Sequence, residues 1–171
     1  MTFYLLPAVD VADGKIVGWK YKVTGASIIA RWLPPAFEKG IDIDAVDSAV
    51  DQPYDIPNFH VEYVRAEPPA VPTGFWRGVG SNNNVFAIES FMDELARKAG
   101  KDPIEFRRGM LGKNPRLLAA LDLVAENSGW GQPLPARASG AASACSRRSA
   151  VLLRPWSKPK STSRARCICV G

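Results

Sequence analysis

Val17, Trp19, Tyr21 and Val23 alternate with Gly18, Lys20 and Lys22, the two-residue period of a strand with one buried and one wet face. Asp13-Gly14 just before them is a turn dipeptide, so the first segment is predicted to be a β-hairpin. Phe59, Val61 and Tyr63 alternate with His60 and Glu62 to predict another strand, which Pro68, Pro69 and Pro72 end. The period then changes. Val85, Phe86, Ile88, Phe91, Met92, Leu95, Ala96 and Ala99 recur at three- and four-residue spacings before Gly100, predicting an amphipathic helix of about four turns closed by a C′ glycine. Asp102-Pro103-Ile104-Glu105 supplies an N-cap acid, a proline at the first helical position and a glutamate three residues after the cap, so a second helix starts there. Asn114-Pro115 repeats the device for a third helix, whose apolar face is Leu117, Leu118, Leu121, Val124 and Ala125 before Gly129.

A hairpin and a strand followed by three helices predict an α+β fold over residues 1–135. The length of 171 residues is enough for one ordinary domain. With 46% apolar and 23% charged residues, disorder of the whole chain is excluded. No run approaches the roughly 20 apolar residues of a membrane span. The opening MTFYLLPAVDVADG has no basic lead, apolar core or cleavage site, so neither a span nor a targeting signal is expected and the compartment stays unassigned.

The net charge of +5 invites a nucleic-acid or anionic-membrane reading, but its distribution changes the picture. Eight basic residues and no acid lie in 136–171, so of 22 basic residues in all, 14 face 17 acids over 1–135. Cys145, Cys167 and Cys169 sit in that tail as well, which leaves 1–135 without thiol chemistry. Cys167-Ile168-Cys169 lacks the spacing and partners of a zinc site. The tail is expected to be a disordered, basic Ser/Arg-rich segment. Re-read one base out of frame with permitted synonymous codons, residues 145–171 become LEAFGSVIATVVEAEVDEQGTVHLRR, an alternating strand pair with a turn. An out-of-frame translation is therefore the expected origin of the tail.

The candidate chemistry lies in 73–84, TGFWRGVGSNNN. Three glycines would let backbone amides approach a ligand, Arg77 brings five fixed donors, and the helix beyond contributes a positive dipole end. Such a loop suits a phosphate or an oxygen-rich heterocycle. Equally, it reads as a strand-to-helix turn whose glycines satisfy geometry and whose Arg77 pairs with an acid. It is not a dinucleotide fingerprint, because GxGxxG is absent. The acidic stretch 41–55, IDIDAVDSAVDQPYD, lacks the glycine and glutamate of a calcium loop and is expected to be a solvated loop or short helix. His60 is a lone strand histidine with no metal partner nearby, and Asp93 and Glu94 are assigned to the polar face of the first predicted helix. No metal ligand is predicted.

PTGFWRGVG, FAIESFMDELARKAGKDPIEFRR and NPRLLAALDLVAENSGWGQPLP, preceded by GKIVGWKYKVTG and YDIPNFHVEYVRAEPPAVP, resemble the large subunit of xanthine-oxidase-family molybdenum hydroxylases, closest to the isoquinoline 1-oxidoreductase beta-chain and aldehyde dehydrogenase group. The resemblance covers roughly residues 10–135. It implies that 1–135 is a fragment of the molybdopterin-binding domain, with Trp76, Arg77, Gly78 and Val79 lying against the molybdenum-molybdopterin cofactor and Arg77 contacting the pterin. Trp76 could stack on the cofactor, or be simply core. Val79 stands where purine-oxidising relatives carry a substrate-stacking phenylalanine, and Ala45 is about in register with their substrate-orienting arginine, which implies a pocket not built for purines. The family reaction hydroxylates an electrophilic carbon of an aldehyde or N-heterocycle with oxygen from water. A glutamate serves as base, and electrons leave through the iron-sulfur clusters of a partner small subunit. That base and a second glycine-rich cofactor loop match nothing in this chain, and Glu89 is not the base. No catalytic residue is therefore assigned, and the chain is expected to be inactive without the rest of the large subunit. The contrasting reading is a small module that grips nucleic acid or an anionic surface through its tail; with Trp156 as the tail's sole aromatic, it offers little for base stacking.

Overall fold

The computed structural model describes residues 13–132 in full and, as backbone only, the strands within 2–10, 142–145, 150–153 and 167–170. Its elements are β1 (Thr2–Asp10), β2 (Lys15–Gly25), α1 (Ile28–Trp32), β3 (Phe59–Arg65), α2 (Val79–Lys98), α3 (Pro103–Arg108), α4 (Pro115–Ser128), β4 (Ala142–Cys145), β5 (Ala150–Leu153) and β6 (Cys167–Val170). Their contacts group into two compact units, residues 1–52 with 56–88, and 53–55 with 89–171.

In the first unit β1 and β2 form the expected antiparallel hairpin, and β3 joins β2 in parallel to give the order β1-β2-β3. Trp19, Tyr21 and Val23 are buried as the alternation requires, but Val17 is 38% exposed and Ile16 is buried in its place. A bulge explains the change of phase. Ala8 pairs with Gly18 and Val9 with Ile16, so Val17 is the extra residue and every side chain beyond it flips faces. β3 forms where predicted, yet Phe59 stays exposed at 39%.

The sequence pattern carries no signal for α1. Ser27 caps it by accepting from Ala30 N at 2.9 Å, and the buried Asp42 reinforces that end by accepting from Ser27 Oγ at 2.6 Å and Ile29 N at 3.1 Å. The 41–55 stretch is consequently not a solvated loop. Asp42, Ala45, Val46 and Ala49 are all buried, because a carboxylate that accepts from Ser27 Oγ, Ile29 N and Ala45 N has its hydrogen-bonding needs met inside.

α2 begins at Val79, six residues ahead of the predicted periodic face, and its 20 residues span about 30 Å. Sequence periodicity sees only buried apolar positions. The first turns are instead held by Ser81 and Asn84, which are polar. Phe86, assigned to the apolar face, is 76% exposed.

In the second unit the caps decide the helices. Asp102 accepts from Ile104 N at 2.8 Å and Glu105 N at 3.2 Å, starting α3 as predicted. Asn114 does not cap α4: its side chain donates to Pro53 O at 3.0 Å instead. α4 ends at Gly129, whose φ of 64° is left-handed as a C′ glycine requires. Glu89, placed on the buried face of α2, accepts from Tyr54 Oη at 2.9 Å and faces Arg107 Nη2 at 2.9 Å. Asp93, assigned to the polar face, also turns inward and accepts from Arg107 Nη1 at 2.6 Å. Burial opposes the Arg107 charge, but Tyr54, Glu89 and Asp93 outweigh it and raise the guanidinium pKa. Glu105 forms its ion pair with Arg108 rather than reaching back to the cap.

Within 136–171, β4, β5 and β6 form an antiparallel sheet in that order, where the sequence predicts no element. Their runs ASAC, AVLL and CICV are short, and the last two carry the β-branched Val and Ile that suit strands. The remainder of the tail lies outside the described residues. No helix among the described residues is long and apolar enough to cross a membrane.

Candidate functional site

The 73–84 loop is fixed at both ends and open in the middle. At its start the Trp32 indole donates to Thr73 O at 3.0 Å. At its end α2 is bound to the acidic stretch: the buried Asn84 donates to Ala45 O and Asp47 O, each at 2.8 Å, and accepts from Tyr21 Oη at 2.9 Å. Ser81 donates to Asp47 and lies 2.7 Å from Ser48 Oγ. Burial pushes the Tyr21 hydroxyl pKa upward, so it remains a donor.

The three glycines divide by role. Gly80 is buried, and a Cβ there would collide with the backbone oxygen of Asp44 and come within 3.0 Å of that of Ala45. Its closeness is to the chain's own backbone rather than to a ligand. Gly78 has φ +85°, the left-handed region that a side chain disfavours, and a Cβ there would meet the Asn82 amide, which donates to Arg77 O. Gly74 is exposed. Val79 follows Gly78 at φ 40°, a strained conformation for a β-branched residue.

Between these anchors the polar and aromatic groups are presented outward. Trp76 is 78% exposed. Arg77 is exposed, and its guanidinium makes no ion pair or side-chain hydrogen bond among the described residues. The reading in which Arg77 pairs with an acid is thus not realised within those residues. Beside the loop lies a cleft of roughly 580 Å³, whose wall includes Trp76, Val79, Gly80, Ala45, Asp44 and Asn83. Trp76 and Val79 line it, whereas Arg77 and Gly78 do not. Ala45 and Val79, distant in sequence, share this wall.

Residues 11–111 match the family model described as the molybdopterin cofactor-binding domain. The chain belongs to that family. Its members are oxidoreductase components of the xanthine-oxidase type, and among curated relatives the chain is 32% identical to a component of nicotinate dehydrogenase from Pseudomonas putida over 75% of its own length and 11% of the relative's. It is 31% identical to the beta chain of isoquinoline 1-oxidoreductase from Brevundimonas diminuta, over 72% of this chain and 16% of that one. The chain therefore spans between a tenth and a sixth of the length of these two relatives. Among solved structures, aldehyde oxidoreductase of Desulfovibrio gigas superposes with a TM-score of 0.60 over 82% of this chain and 17% of that chain, at 19% identity. Quinoline 2-oxidoreductase of Pseudomonas putida 86 does so with a TM-score of 0.57 over 72% of this chain and 17% of that chain, at 20% identity. These two likenesses establish the molybdopterin-binding fold, in agreement with the α+β expectation.

Other candidates resolve simply. His60 is an exposed strand residue with Nε2 3.0 Å from Glu62 Oε1. Hydrogen bonds from Lys20 and His60 hold the Glu62 carboxyl below its ordinary range. Among the described residues no group of three His, Cys, Asp or Glu side chains could hold a metal ion. Sequence reasoning missed Asp44, which lines the cleft and whose pKa is raised by burial and by Asp42 and Asp47. The only available signal was the density of aspartates in 42–47, which also fits a surface loop.

Proposed function

We propose that this chain is part of a molybdenum hydroxylase large subunit, and that Trp76, Arg77, Gly78 and Val79 form one side of its molybdopterin site. The single observation behind this reading is the loop's uncommitted chemistry. An exposed guanidinium without an acidic partner among the described residues, next to a left-handed glycine at a helix start, fits a group rich in oxygen and nitrogen acceptors. Arg77 would hold the pterin through its fixed donors, and Gly78 would let backbone approach it. Trp76 would cover one face. When bound, the cofactor supplies the two-electron redox centre for hydroxylating an aldehyde or N-heterocycle carbon. The chain's own part is to grip that group and to shape the adjoining cleft, where Val79 and Ala45 leave room that larger side chains would fill.

The residues needed for turnover include a base and a second cofactor loop, which the remainder of the subunit would contribute, and an iron-sulfur partner would carry electrons away. The chain alone is inactive on this reading. Its tail, 136–171, is out-of-frame sequence; sequencing the coding DNA for a single-base change near codon 136 tests that point.

Arg77→Ala in the intact subunit tests the site. Losing charge-assisted bonds of about 1.5–3 kcal/mol lowers cofactor retention by roughly one to two decades. Val79→Phe narrows the cleft, changing which substrates are oxidised while leaving molybdenum near normal. Full molybdenum content in Arg77→Ala, with loss in Val79→Phe, would leave the loop as a structural turn only.

A further inference from the structure

We infer that the cleft beside Trp76 selects positively charged or N–H-donating aromatic rings over carboxylate-bearing ones, with Asp44 as the selecting residue. This rests on the proposal that the cleft is the substrate's approach. Among the described residues, the ionisable side chains in its wall are Asp42, Asp44 and Glu67, and no Lys, Arg or His lines it.

The three carboxylates are not equivalent. Asp42 is already engaged, its Oδ1 accepting from Ala45 N at 2.9 Å and its Oδ2 from Ser27 Oγ and Ile29 N. Glu67 is engaged as well, accepting from Arg65 Nε at 2.6 Å and Ser27 N at 3.2 Å. Asp44 has no hydrogen-bond or ion-pair partner among the described residues and is half-buried. Its acceptors remain available to a guest.

The second observation is aromatic. Trp76 is 78% exposed and belongs to the same wall as Asp44 and the apolar Ala45 and Val79. An indole face attracts a flat cation through its quadrupole, and a neighbouring carboxylate adds attraction of the same sign. A ring bearing its own carboxylate meets Asp42 and Asp44, which have no ion-paired cation among the described residues, so it suffers both repulsion and desolvation; Glu67, paired with Arg65, adds little. Shape alone would admit both rings; charge separates them.

The test is direct binding to the full 171-residue chain, with no cofactor required. N-Methylquinolinium, quinoline and quinoline-4-carboxylate are titrated into ¹⁵N-labelled protein while the Trp76 indole and Val79 amide signals are followed. The cation is expected to bind about three- to fivefold more tightly than neutral quinoline, as for a partly exposed charge pair, and the anion more weakly than either. Raising the salt concentration shrinks the preference. Asp44→Asn abolishes it, while Asp44→Glu, which retains the charge, preserves it. If none of the three probes shifts these signals, the cleft is not a ring-binding site and both readings fail. Binding without a cation preference, or a preference that survives in Asp44→Asn, overturns the charge selection and leaves the cleft standing.

Discussion

The two ends of α2 handle an arginine in opposite ways. Near its C-terminal half Arg107 is fully buried and directs its N–H groups at Glu89, Asp93, and the carbonyls of Pro103 and Glu89. Just before its N-terminus Arg77 stands in solvent and directs none of its donors at a described residue. The first arrangement is closed: every strong donor already has an acceptor, so it can stabilise but not bind. The second is open, and an unengaged guanidinium on an anchored loop has capacity left for a ligand. Chemical similarity between two side chains thus says little about role until their partners are counted.

Removing the closed arginine should do the most damage. Arg107→Met leaves Glu89 buried beside Tyr54 without its cation, at a cost of about 3–5 kcal/mol. That is a large share of the roughly 5–15 kcal/mol holding a typical domain together, and urea unfolding followed by circular dichroism should show it. Unfolding at the wild-type midpoint would mean the pair is not formed in solution.

Gly80→Ala comes next. Its methyl group collides with backbone, which has little freedom to move away, so overpacking of about 1–3 kcal/mol is expected in the same assay. Arg77→Ala should by contrast change the chain's stability by less than about 0.5 kcal/mol, the range of an exposed substitution without partners. A clear destabilisation there would blur the contrast between the two arginines.

The smallest effect concerns pH. Because the Asp44 carboxyl is raised above its ordinary 3.8 by burial, Asp42 and Asp47, the folded state favours its protonated form. Its favourable contribution is present below the ordinary value and disappears as pH rises through the higher folded value. Asp44→Asn should therefore be slightly more stable than wild type at pH 7 and indistinguishable at pH 3. The lowered Glu67 carboxyl, held down by Arg65 and Ser27, works in the opposite sense and loses its contribution as pH falls. Thermal melts at the two pH values, on both proteins, separate these trends.

The helices past residue 85 were readable because each rests on a local code: a period, an N-cap acid before proline, a glycine at the C-terminus. The hairpin was readable to within one residue, and the error at Val17 arose because a bulge depends on the partner strand. What sequence could not show is what distant polar residues do for one another. Asp42, Asn84 and Glu89 look like ordinary solvated side chains until the fold supplies Ser27, Tyr21 and Arg107. The site loop was found from its glycines and arginine, but its meaning changed on folding. Gly80 serves the packing of α2 on the 44–45 backbone, and the cleft-forming pair Ala45 and Val79 is assembled only in three dimensions.

The parallel register of β2 and β3 has a consequence for how the chain reaches this state. The β1-β2 hairpin closes over the four residues between Asp10 and Lys15, but Gly25 and Arg65 sit side by side only after the 39 positions between them have been gathered in. That loop's entropy is lost before any ladder bond offsets it, and such non-local pairings slow folding. The β1-β2 hairpin is thus expected to form early and β3 to dock late. A stopped-flow experiment would then find destabilising substitutions at Tyr63 mainly accelerating unfolding, because its contacts are made after the barrier has been crossed.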